Sequence, residues 1–176
     1  MESILRKRGL KWIDCIRASM PYDSSPLMKK AVHLLKYKRS RRMHVYLAEL
    51  IARSLQDTYI DPSAVLCPVP LHWSRKFQRG FNQAELLARG VGTAKNLSVC
   101  NMLRRTRSTG YQAKRGRKER LMAVQNAFKV CRNVTLPDTV ILIDDLSTTG
   151  ATFDACANAL KNSGVKRVEG WAVAHG

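Results

Sequence analysis

The sequence predicts an α/β fold in which a twisted parallel sheet is flanked by helices. Val140–Ile143 is a continuous run of branched apolar residues, the pattern of a strand buried on both faces. Behind it, Phe153, Cys156, Ala157 and Leu160 recur at helical spacing, Gly164 offers a C-terminal stop, and Arg167–Ala174 reads as a second strand. Strand, helix and strand in that order make a βαβ unit with a right-handed crossover. Val65–Cys67 is short and apolar, and Pro68 and Pro70 force an extended path out of it, as at the end of a buried strand.

The 176 residues suit a single domain, 1–176, with a full-sized core. Residues 1–26 read as an N-terminal extension, and Arg6, Lys7, Arg8 and Lys11 there are followed by no apolar stretch, so no secretory leader is expected. Two amphipathic helices follow. Leu27, Ala31, Leu34 and Leu35 share one face of the first, and Val45, Ala48, Ile51, Ala52 and Leu55 share one face of the second. Asp61–Pro62 marks a turn. His72 to Gly80 reads as a basic loop, after which Asn82 caps a helix, with Glu85 reaching back as in a capping box. Ala84, Leu87, Ala88 and Val91 form that helix's inner face. Between Arg104 and Arg120 apolar periodicity is lost, eight residues are basic, and the segment reads as a long mobile loop: a surface insertion or a lid over an anion.

Charge and cysteine usage narrow the class. Thirty-one Lys and Arg against thirteen Asp and Glu give a formal charge of +18, which attracts polyanions. The five cysteines are scattered and never paired as C-x-x-C, which points away from disulfides and zinc and toward a reducing, cytoplasmic setting. No run approaches the roughly 20 apolar residues of a membrane span.

The chemistry concentrates in Asp144–Thr152. If the strand ends at Asp144, both Asp144 and Asp145 emerge at the carboxyl edge of the sheet, where open α/β sheets bind ligands. Adjacent carboxylates there can accept hydrogen bonds from the vicinal hydroxyls of a ribose. The residues Ser147, Thr148, Thr149, Gly150, Ala151 and Thr152 that follow are small and mostly hydroxylated, and they lead into a helix N-terminus. Backbone N–H groups, hydroxyls and the helix dipole can together wrap a phosphate. Each half alone would pass for an acidic cap or an ordinary turn; joined, they spell a ribose 5-phosphate site.

These residues resemble the phosphoribosyl pyrophosphate (PRPP) motif of type I phosphoribosyltransferases, in which two acids precede a T-T-G-x-T loop. Cys67–His72 and Arg79–Leu87, with Gln112, Arg120 and Ala127–Phe128 in order, resemble the ComF family over roughly Leu27 to Ala174. The resemblance implies a type I phosphoribosyltransferase fold with a mobile hood. It implies that Asp144 and Asp145 hold the ribose and serve catalysis, and that Ser147–Thr152 hold the 5′-phosphate. By the same analogy Val69, Pro70, Leu71 and His72 form the pyrophosphate loop, while Arg79, Gln112 and Arg120 close over the ligand. Mg²⁺ would arrive with PRPP and be held by its oxygens and water rather than by a protein metal site. Homodimers are common among such enzymes, and family members are associated with natural competence.

Three functions follow as expectations: glycosyl transfer at ribose C1 to an unidentified acceptor, PRPP sensing without transfer, and single-stranded DNA binding. Sensing draws on the lack of the four-cysteine zinc-binding segment that commonly opens ComF-like proteins. It draws also on Ala123 and Asn126, which stand where the family usually has Asn and Gly. DNA binding draws on the basic clusters Arg39–Arg42, Arg75–Arg79 and Arg104–Arg120, and on Tyr37, Trp73, Phe77, Phe81 and Tyr111 as stacking candidates.

Overall fold

A computed structural model describes residues 9–22, 26–37, 41–106 and 126–176. In chain order these form β1 (Cys15–Pro21), α1 (Pro26–Tyr37), α2 (Arg41–Ser54), β2 (Val65–Pro68), α3 (Trp73–Arg79), α4 (Gln83–Lys95), β3 (Leu103–Arg105), β4 (Phe128–Val130), β5 (Thr139–Ser147), α5 (Ala151–Lys161) and β6 (Arg167–His175). The main sheet has the order β1–β6–β5–β2, with every neighbouring pair parallel. β3 and β4 make a separate antiparallel ribbon. None of the described helices is long and apolar enough to cross a membrane.

Strand periodicity of two divides the core into two halves. From β5, Val140 and Leu142 point to a layer with Phe153, Cys156, Ala157 and Leu160 of α5 and Phe128 of β4. Ile141 and Ile143 point the other way, to Leu35 of α1, Leu47 and Ile51 of α2, and Leu87 and Val91 of α4. Because helices cover both faces, the strand can be apolar throughout, as the sequence suggested. α5 sits close to the sheet because Gly170 of β6 has no side chain: a Cβ there would lie 2.7 Å from the ring of Phe153.

Several expectations change in detail. Within residues 1–26, Cys15–Pro21 is the edge strand β1, laid in register along β6 from Cys15↔Glu169 to Pro21↔His175. In α1 the buried stripe is Met28, Val32 and Leu35, which turns Leu27 to solvent at 77% exposure. In α2 it is His44, Leu47, Ala48, Ile51 and Ala52, which leaves Val45 half exposed. His72–Gly80 is not a loop throughout: residues 73–79 form α3. Asn82 does cap α4, accepting the Ala84 N–H at 3.1 Å. Glu85, however, pairs forward with Arg89 at 2.9 Å, one helical turn on, rather than reaching back. Gly164 ends the α5 region at φ +107° as expected. The segment from Arg104 to Arg120 begins as β3, and its residues 107–120 lie outside the described residues.

Cys15, Cys67 and Cys156 are buried, and none of the five cysteines is in a disulfide. Burial pushes the Cys67 thiol from 9.0 up to about 12, and Cys156 shifts in the same direction for the same reason. A thiol kept protonated in the folded chain stabilises it fully below the unfolded pKa. That contribution is lost as pH rises through the folded one, here from about 9 toward about 12. Urea midpoints should therefore fall steadily above about pH 9, and iodoacetamide at about pH 8 should modify Cys67 and Cys156 only as fast as the chain unfolds. Native-state labelling of either at the rate of Cys100 and Cys131 would contradict this.

Candidate functional site

Two loops leave neighbouring strands at the same edge of the sheet and turn to opposite faces. β2 and β5 are parallel, and their last paired residues are Pro68 and Ile143. The Val69 N–H then donates to the Ile143 carbonyl at 2.9 Å, so the chain after β2 departs alongside Asp144. It leads through α3 to α4 on one face, whereas β5 leads to α5 on the other. Such a divergence opens a crevice at the carboxyl edge of the sheet, the usual ligand site of open α/β folds.

β5 does not stop at Asp144. It runs on to Ser147, paired among the described residues with β6 through Asp144↔Ala172, Leu146↔Ala174 and Ser147↔His175. Alternation therefore gives the two acids different surroundings. Asp144 is half-buried, and its Oδ1 accepts the Asp145 N–H at 2.8 Å, while Asp145 is 4% exposed. Ser147 is a strand residue with a buried side chain, and its carbonyl accepts the Gly176 N–H at 3.0 Å. The turn proper is Thr148–Gly150. Thr148 is exposed, and Thr149 Oγ1 accepts the Ala151 N–H at 3.3 Å. Gly150 occupies the N-cap of α5 at φ +79°, where it has no side chain to fill the end of the helix. Ala151 and Thr152 form the first turn, so the N–H groups that an anion could use stand beside the hydroxyls.

Across the crevice, Val69 is buried, Pro70 and Leu71 are half-buried, and His72 is 8% exposed with Nδ1 2.8 Å from Ser74 Oγ. The loop has a brace that sequence reasoning assigned only as a cap. Asn82 Nδ2 donates to the Val69 carbonyl at 3.1 Å while its Oδ1 caps α4, so one side chain ties the loop to the helix. The signal was an Asn standing before a helix and close behind the loop. Arg79, at the end of α3, donates to Gln83 Oε1 at 3.3 Å. The structure thus brings Asp144, Asp145, the Ser147–Thr152 turn and Val69–His72 to one edge. Gln112 and Arg120 lie outside the described residues. Asn126 adopts φ +59°, the left-handed conformation that Asn tolerates better than other non-glycine residues, so the position keeps a glycine-like backbone.

No protein-family model matches the chain. Competence protein F of Haemophilus influenzae is 33% identical over 116 residues, 64% of this chain and 50% of that protein. ComFC of Bacillus subtilis is 29% identical over 143 residues, 81% of this chain and 57% of the relative. The DNA utilization protein YhgH of Salmonella typhimurium is 30% identical over 163 residues, which take in 86% of this chain and 68% of the relative. The chain belongs to the ComF family. It spans about half to two thirds of the length of these curated relatives. Among solved structures, the B. subtilis glutamine PRPP amidotransferase complexed with ADP and GMP matches 81% of this ComF-family chain at a TM-score of 0.52 and 15% identity, over 30% of its own chain. A structure of the allosteric regulatory enzyme of purine biosynthesis matches the same share at 0.53 and 17% identity, again over 30% of its own chain. The α/β architecture is that of the type I phosphoribosyltransferases.

The turn allows one sharp test. A Cβ on Gly150 would meet Leu10 Cδ1 at 2.7 Å and Ile16 Cδ1 at 2.8 Å, on a backbone that already disfavours it. Gly150→Ala should cost about 1–3 kcal/mol by urea denaturation. An unchanged midpoint would mean that the turn is free to rearrange.

Proposed function

We propose that this ComF-family chain binds PRPP at the β2–β5 crevice and transfers its phosphoribosyl group. The observation that carries the proposal is the junction of β5 with α5, where two carboxylates, a hydroxyl-rich turn and a helix N-terminus succeed one another at the carboxyl edge. Asp144 and Asp145 would accept hydrogen bonds from the ribose hydroxyls. Thr148–Thr152 would hold the 5′-phosphate, and Val69–His72 would face the pyrophosphate. In the reaction the C1–oxygen bond to pyrophosphate breaks as an acceptor nucleophile bonds to C1, through an oxocarbenium-like transition state. Carboxylate charge near C1 stabilises such a state more than the ground state. Mg²⁺ would enter with PRPP and neutralise the departing pyrophosphate. A cation carried by ligand oxygens and water needs no cage of protein side chains.

Calorimetric titration of Mg²⁺–PRPP should show saturable binding by the wild type and loss of about tenfold or more in affinity for the Asp144→Asn, Asp145→Asn double variant. Isotope exchange between PRPP and pyrophosphate then separates transfer from sensing. A wild type that does not bind PRPP sinks both.

A second reading, single-stranded DNA binding, is favoured by α3. Trp73 and Phe77, four residues apart, are 73% and 90% exposed on a helix that also carries Arg75, Lys76 and Arg79. Exposed aromatic rings on a helix whose sequence is rich in cations suit bases on a phosphate backbone. Trp73→Ala with Phe77→Ala should cost about tenfold or more in affinity for a single-stranded oligonucleotide. Charge reversal at Arg104, Arg105 and Arg107 should flatten the salt dependence. Equal binding of heparin would count against DNA as a specific partner.

A further inference from the structure

Asp154 lies in the first turn of α5, where an acid ordinarily faces solvent and complements the helix dipole. Here it is buried, 9% exposed, and spends its charge elsewhere. Its Oδ1 accepts hydrogen bonds from three successive backbone N–H groups, those of Lys11 at 2.9 Å, Trp12 at 2.7 Å and Ile13 at 3.0 Å. Consecutive N–H groups converging on one anionic oxygen make a charge-assisted clamp. The Asp154 N–H meanwhile donates to the Gly150 carbonyl at 2.9 Å, so the clamp stands directly on the first turn of α5. The clamped segment also packs where it matters. Leu10 and Ile13 are 1% and 2% exposed, and Leu10 and Ile16 occupy the space behind Gly150.

We infer that Asp154 is a positioning residue for the phosphate turn: by strapping Lys11–Ile13 across the start of α5, it holds Gly150 left-handed and keeps the neighbouring N–H groups aimed at the crevice. The inference rests on the ribose 5-phosphate reading of the site.

Asp154→Ala and Asp154→Asn are to be compared with Asp14→Ala. Asp14 anchors the same N-terminal segment elsewhere, through Lys161 at 2.6 Å and the Val168 N–H at 2.8 Å. Calorimetry with ribose 5-phosphate and, separately, pyrophosphate reads the two halves of the crevice, and hydrogen exchange on the ligand-free protein reads the turn. Asp154→Ala should lose about tenfold in ribose 5-phosphate affinity and keep pyrophosphate affinity within about twofold. Its peptides over 148–153 should exchange faster than those of β6. Asp154→Asn, which keeps the acceptor oxygen without the charge, should fall between. Asp14→Ala should lower the melting temperature while keeping both affinities. Unchanged ribose 5-phosphate affinity in Asp154→Ala, or equal losses for both ligands in all three variants, would overturn the inference. A wild type that binds neither ligand fails the ribose 5-phosphate reading instead, and slow, wild-type exchange at the turn in Asp154→Ala would then remove the positioning role as well.

Discussion

Parallel pairing of β5 with β2 on one side and β6 on the other is the constraint from which the rest of the structure follows. A parallel strand in mid-sheet must be covered on both faces, and its connections must cross over rather than turn back. Val140–Ile143 meets the first demand with a helix layer on either side, and α5 meets the second. Since β2 ends at Pro68 while β5 runs to Ser147, the sheet is stepped at its carboxyl edge. The step is the crevice. The polar residues of β5 begin where β2 stops pairing with it, which leaves Asp144 half-buried at the step while Asp145 stays buried.

The crevice is braced from both sides by side chains that do not look catalytic. Asn82 fastens the Val69 carbonyl to the start of α4, and Asp154 fastens the N-terminal segment to the start of α5. Each uses a polar side chain near a helix start, where backbone groups lack partners within the helix. Loops held in this way lose little conformational entropy when a ligand arrives.

Family and fold supply different kinds of support. Membership of the ComF family links the chain to relatives named for competence and DNA utilization. The solved structures it resembles, at 15% and 17% identity, speak for the architecture alone. Between them stands the net charge of +18, which suits a pyrophosphate ligand and a nucleic acid alike. The exposed Trp73 and Phe77 suit the second ligand better than the first, because a pyrophosphate group offers no planar face.

The sequence by itself determined what is local or strongly patterned. The β5–α5–β6 unit, the capping Asn82, the stop at Gly164 and the D-D-L-S-T-T-G-A-T run all declare themselves within a few residues, since periodicity, cap chemistry and backbone permissiveness act at short range. The tertiary structure decided what depends on distant partners. β1 carries no apolar run because it is an edge strand with mostly half-buried side chains, and only β6 makes it a strand. The faces of α1 and α2 are offset from the expected stripes, because the sheet beneath them selects which turn of the helix is buried. Ser147 becomes a buried strand residue because β6 continues to His175 and extends the pairing past the acids. Asp154 looks in sequence like any acid in a first helical turn. The partners that give it a task lie more than 140 residues away in the chain.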